Sequence, residues 1–175
     1  MFFVLLLFSL CEGCKNNSDS LLDGYNERLQ QINQTWKGAP INIKTLLQID
    51  SIDIESQTPY TILVYYNADC SICISALKEW NQNLVPFFSK INTPIKFILA
   101  TDDKRMLHFY LKQMEFSGDY ALIAKQNKFL EKFTFADEGP FNTFLINQKK
   151  EIEFIGSPLL SNNLKKYYAK RITEE

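Results

Sequence analysis

The sequence predicts an α/β sandwich, a mixed sheet with helices on both faces, on three observations. Two largely apolar runs, Tyr60–Tyr66 (YTILVYY) and Ile95–Ala100 (IKFILA, interrupted by Lys96), are rich in β-branched and aromatic residues. Such runs suit strands covered on both faces. Stretches with helical apolar spacing alternate with them. The resulting order of strand, helix, strand, helix, hairpin and helix selects parallel pairing within a layered sandwich.

Each element has its own signal. A helix is expected from Leu22 to Trp36, with Leu22, Leu29, Ile32 and Trp36 on one side and Lys37-Gly38-Ala39-Pro40 ending it. Ile41–Ile54 alternates loosely and suggests strands around a loop, and Thr58-Pro59 marks a turn. After the first strong strand, Asn67-Ala68-Asp69 forms a short loop, and a helix opens at Cys70. Its apolar residues Cys73, Leu77, Trp80, Leu84 and Phe88 share one face, and Pro86 ends or kinks it. Residues 102–114 read as a helix burying Leu107, Tyr110, Leu111 and Met114. A short strand is expected at Asp119–Ala124 and a short helix at Asn127–Phe133. Gly139-Pro140 introduces a strand from Phe141 to Asn147, which turns at 148–150 into a second strand, Glu151–Ile155. Ser161 caps a final helix carrying Leu164, Tyr167, Tyr168 and Ile172.

The bulk numbers narrow the function. The 175 residues are 46% hydrophobic and 22% charged, the composition of one globular domain with a real core. A net charge of −1 leaves no basic surplus for phosphates, so nucleic acid is excluded as a partner. The lysine pairs Lys149-Lys150 and Lys165-Lys166 read as solvated faces.

The N-terminus reads as an address. Phe2–Leu10 (FFVLLLFSL) is too short for a membrane-spanning helix but fits the apolar core of a secretory signal, although no Lys or Arg follows Met1. A cysteine then stands beside a small residue, Gly13-Cys14, and the chain turns polar at once. This resembles a bacterial lipoprotein signal, in which that cysteine becomes the lipidated first residue. Cys11 is a rival lipidation site, because Glu12 departs from the usual pattern. The expected division is a signal at 1–13, a tether and helix at 14–39, and the main domain at 40–175. A soluble protein with a different start remains the alternative. The expected location is the bacterial cell envelope, as a membrane-anchored lipoprotein facing the periplasm or the surface, where disulfides persist.

The chemistry-bearing motif is Cys70-Ser71-Ile72-Cys73. Its placement matters more than its letters: a buried strand ends, a short loop turns, and Cys70 opens a helix. Residues i and i+3 share a helix face, which brings two sulfurs near bonding distance. Unpaired N–H groups and the dipole of the first turn favour a thiolate at Cys70. Cys73, on the apolar face with Leu77 and Trp80, suits the resolving role. Asp69 either opposes the thiolate or caps the helix. His108 lies off its helix's core face, and with one His and no second cysteine pair in the mature domain neither a metal nor a cofactor is expected. An inert disulfide, or two free thiols on a binding module, is the competing reading. Peroxidase activity lacks an activating constellation.

These residues resemble the thioredoxin-like superfamily, and within it the tethered thiol–disulfide oxidoreductases of the TlpA type. The resemblance runs through Ile62–Cys73, then Phe141–Asn147 and Glu151–Gly156, and covers roughly residues 40–172. It implies a thioredoxin-like fold, Cys70 as nucleophile and Cys73 as resolving thiol. The substrate groove it implies is lined by Asp69, Ser71, Ile72, Pro140 and Phe141. The implied partner is an exported protein with thiols or a disulfide, or an upstream membrane reductant. Two departures stand out. Asp69 replaces the family's Trp before the first cysteine. The family's cis-proline position falls on Phe141, with Pro140 one residue early, so the Phe141 bond is expected to be trans.

Overall fold

The computed structural model describes residues 16–47 and 58–174, with side chains from residue 23. Cys11, Cys14, the leader 1–13, Ile52 and Ile54 lie outside the described residues. Helix α1 (Asn16–Trp36) starts earlier than Leu22 and takes in most of the stretch read as a tether. Gly38 ends it with φ 80°, a conformation costly for any residue with a Cβ, while the Ala39 amide donates to the Trp36 carbonyl at 3.0 Å. Two compact units part between Thr35 and Trp36.

The expected strand after Ile41 is instead a one-turn helix, α2 (Ile43–Leu47). Asn42 caps it: its side-chain oxygen accepts the Thr45 amide at 3.1 Å and its carbonyl accepts the Leu46 amide at 3.0 Å. Ile43 and Leu47, one turn apart, are both buried, so the apparent alternation is half of a helical period.

The sheet grows around β1 (Tyr60–Asn67), the element with the strongest signal. On one side β1 pairs in parallel with β2 (Ile95–Ala100), which pairs in parallel with β3 (Asp119–Ile123). On the other, β1 pairs antiparallel with β4 (Thr143–Asn147), and β4 with β5 (Ile152–Ile155), giving the order β3-β2-β1-β4-β5. β4 starts at Thr143, not Phe141, because Gly139–Phe141 closes a 3₁₀ turn first. Residues 38–41 run beside β5, with Ile152 donating to Ala39 at 3.0 Å.

One face of the sheet carries α3 (Ser71–Glu79), α4 (Val85–Ser89), α5 (Lys104–Gln113) and α7 (Asn162–Thr173). Leu77, Trp80, Phe88, Leu107, Leu111 and Tyr168 bury themselves there with Ile62, Val64 and Phe97. Between α3 and α4 the chain widens into a π turn, Trp80–Leu84. Pro86 explains it: proline has no N–H to donate and its ring crowds the carbonyl one turn back. The other face carries α6 (Lys128–Lys132) and an aromatic layer. Phe129 stacks on Tyr65 at 5.3 Å between ring centroids and meets Phe133 and Phe144 at 5.0 and 5.5 Å. The Lys165 ammonium sits 4.1 Å from the Phe87 ring centre, so this lysine is not simply solvated as the sequence suggests.

Candidate functional site

All three parallel strands end at the same edge of the sheet, where crossover loops of open α/β sheets build their sites. The loop after β1 carries Asp69 and Cys70, the turn after β2 carries Thr101 and Asp102, and the turn after β3 carries Lys125. Backbone bonds lock these ends together. Ala68 donates to Ala100 at 2.8 Å, and Thr101 donates to Ile123 at 3.0 Å.

Cys70 occupies the N-cap of α3 in extended conformation (φ −102°, ψ 128°), and its carbonyl accepts the Ile74 amide at 3.0 Å. Its thiol makes no cap hydrogen bond, yet the amides of Cys73 and Ile72 lie near enough to stabilise a sulfur anion. Chiefly through the Cys73 amide and thiol, the Cys70 pKa is lowered from its ordinary value. Cys73 packs against the core formed with Leu77, Trp80 and Tyr66, and burial, reinforced by Cys70, pushes its thiol up to about 12. Both cysteines are half-buried and unbonded. The pair is electronically asymmetric: one sulfur is poised to ionise and reach solvent, the other to hold its proton.

Asp69 does not cap α3, contrary to one of the two expectations. Its carboxylate accepts a short hydrogen bond from the Thr101 hydroxyl, accepts the Asp102 amide at 3.2 Å, and pairs with Lys125 Nζ at 2.7 Å. Lys125, then Thr101, hold its pKa down at about 2. Asp102 lies 3.7 Å from the same ammonium. Nothing local in the sequence marks Thr101 or Lys125 as site residues. The signal for them is topological: parallel strands must deliver the ends of β1, β2 and β3 to one edge.

Ser71 is exposed, and Ile72 is 77% exposed, an unusual position for a large apolar side chain. Pro140 is half-buried in the 3₁₀ turn. Phe141 is 4% exposed, so its side chain belongs to the core rather than to an open groove. No peptide bond among the described residues is cis, and Phe141 is trans as expected. Beneath the turn, buried Asn142 ties β4 to β1: its side-chain amide donates to the Tyr65 carbonyl at 2.9 Å, and its own carbonyl accepts the Tyr65 amide at 2.8 Å. The Trp80 indole donates to the Tyr66 hydroxyl at 3.2 Å, and that buried phenol is raised to about 12. His108 is exposed on α5, and no group of three His, Cys, Asp or Glu among the described residues could hold a metal ion.

A strand–loop–helix bearing two cysteines, where the parallel strands end in a sheet completed by an antiparallel hairpin and clad with helices, is the thioredoxin-like α/β fold. Solved structures share this fold. A thiol-disulfide oxidoreductase from Bacteroides fragilis NCTC 9343 superposes with a TM-score of 0.54 at 12% identity, covering 75% of this chain and 98% of its own. A thiol:disulfide interchange protein from Bacteroides sp. gives 0.52 at 11% identity, covering 74% and 84%. No protein-family model matches the chain, and no curated protein sequence does.

Proposed function

We propose that the chain is a thiol–disulfide oxidoreductase acting through Cys70 and Cys73. The observation that supports this most is the asymmetric pair at the start of α3: a Cys70 thiol with lowered pKa at the N-cap, and Cys73 one turn inward at about 12. The Cys70 thiolate attacks one sulfur of a partner disulfide, forms a mixed disulfide and expels the partner's other sulfur as thiolate. Cys73 then loses its proton to water or to the departing thiolate and attacks Cys70 Sγ. The partner leaves as a dithiol, and the Cys70–Cys73 disulfide forms. Run backwards, the same steps oxidise a partner dithiol.

In this proposal the partner is an exported protein, or an upstream membrane reductant, and the chain is held at the bacterial envelope through a lipid on Cys14, with Cys11 as the rival. Among the described residues no helix is long and apolar enough to cross a membrane. Cys73→Ser tests the chemistry: the variant should accumulate a mixed disulfide through Cys70 in native envelopes, and the wild-type pair should titrate against dithiol buffers. No trapped partner together with no exchange would exclude it. Metabolic labelling with a fatty acid tests the anchor, and the label should vanish in Cys14→Ser.

A second reading, a binding module with the fold but not the chemistry, has one supporting observation. Phe141, expected in the groove and at the start of a strand, is buried and closes the Gly139–Phe141 turn. It requires Cys70→Ser to leave the cellular function intact.

A further inference from the structure

Asp69 is an awkward neighbour for a thiolate, because a carboxylate directly before Cys70 disfavours a second negative charge. The fold answers it from a distance in sequence. Lys125, in the turn after β3, reaches Asp69 with its ammonium at 2.7 Å, and Thr101 and the Asp102 amide hold the other contacts. We propose that Lys125 is a positioning residue of the thiol site, cancelling the Asp69 charge beside Cys70 and pinning the loop that presents the sulfur. The proposal rests on the exchange reading for its use, though not for its measurement.

The charged groups at this end of the sheet come from several elements. Asp69 lies on its own loop, Lys125 follows β3, and Asp102 precedes α5 and shares the Lys125 ammonium at 3.7 Å. Asp137, in the 3₁₀ turn Thr134–Asp137, adds negative charge that reaches both cysteines. Among the described contacts Lys125 pairs with Asp69 and Asp102. Removing it leaves Asp69 unneutralised and raises the Cys70 pKa. Removing the Asp69 charge leaves the ammonium with only the more distant Asp102 carboxylate at 3.7 Å and lowers it. A merely structural clamp behaves otherwise, since either substitution loosens the same loop and both shift the thiol in the same direction.

The test is the pH profile of iodoacetamide alkylation at Cys70, read peptide by peptide by mass spectrometry on the reduced full chain. Lys125→Gln should cut the thiolate fraction at pH 7 about threefold, and Asp69→Asn should raise it by a similar factor. The double variant should return near wild type, and Lys125→Arg should match wild type. Shifts of the same sign in the two single variants, or no shift in either, would overturn the proposal. If Lys125→Gln does not fold, Asp69→Asn alone decides: an unchanged or lowered thiolate fraction overturns it. Exchange with a dithiol buffer is measured alongside. Opposite shifts without wild-type exchange support the pairing while removing the oxidoreductase reading.

Discussion

At the scale of single residues the two cysteines differ by environment, not by chemistry. Cys70 sits where backbone amides converge, and Cys73 sits against Trp80 and Leu77. With the Cys70 thiol lowered and the Cys73 thiol pushed up to about 12, the thiolate at neutral pH belongs to Cys70. Brief alkylation of the reduced protein at pH 7 should therefore label Cys70 and spare Cys73. Equal labelling would contradict the asymmetry. Part of what raises Cys73 is the neighbouring Cys70 sulfur, so a mixed disulfide at Cys70 removes that contribution and eases the second attack, while the burial contribution persists. Asp69 gives a second residue-scale outcome. Its folded pKa, about 2, lies below the ordinary 3.8, so its pairing stabilises the fold fully above pH 4 and is lost as pH falls towards 2. The carboxylate is partly solvated, and screening limits the effect to about 1 kcal/mol. Asp69→Asn should flatten the acid limb of the stability curve between pH 4 and 2 in urea titrations.

At the scale of elements, caps and breakers set the boundaries. The Asp103 carboxylate accepts the Arg105 and Met106 amides at 3.1 and 3.0 Å at the start of α5, and Ser161 Oγ accepts the Leu164 amide at 3.2 Å at the start of α7. Asp103→Ala and Ser161→Ala should each cost about 1 kcal/mol of unfolding free energy in denaturant titrations, and an effect within error for both would remove the capping account. Ser161 was readable because it precedes a clear apolar period. Asn42 carries the same kind of signal, masked because Ile41 and Ile43 mimic strand alternation and α2 is a single turn. The strands were legible because burial on both faces demands continuous β-branched and aromatic runs, and Tyr60–Tyr66 can do little else. The Cys70-x-x-Cys73 placement followed from the same run. What was not legible is contact across the sheet edge. Thr101 and Lys125 follow different strands, far along the chain from Asp69, and only the completed β1-β2-β3 register brings them to it.

At the scale of the whole molecule, the two sheet faces are held by different kinds of packing. The α3 side is a helical layer whose residues recur at helical spacing, with Trp80 edge-on to Phe97 at 5.7 Å and Phe88 near Tyr168 at 6.1 Å. The other side depends on rings from very short pieces. Helix α6 is far below the length at which a helix is stable by itself, so its position comes from docking. Phe129 does most of that docking, touching Tyr65 of the central strand, Phe144 of β4 and Phe133, while Asn127 closes the turn by accepting the Leu130 amide at 2.8 Å and donating to the Lys125 carbonyl at 2.9 Å. The same short segment thus carries the core ring and the turn that presents Lys125. Truncating the ring leaves a cavity among groups fixed by the sheet, which cannot collapse to fill it. Phe129→Ala should lower unfolding free energy by about 3–5 kcal/mol, a large share of the roughly 5–15 kcal/mol typical of a domain. Phe129→Leu, which keeps most of the apolar volume, should cost clearly less. Urea titrations of the two variants decide it, read at constant slope. A loss below about 1 kcal/mol for the alanine variant would mean that α6 is held by its backbone turn and that the aromatic layer is incidental to the second face.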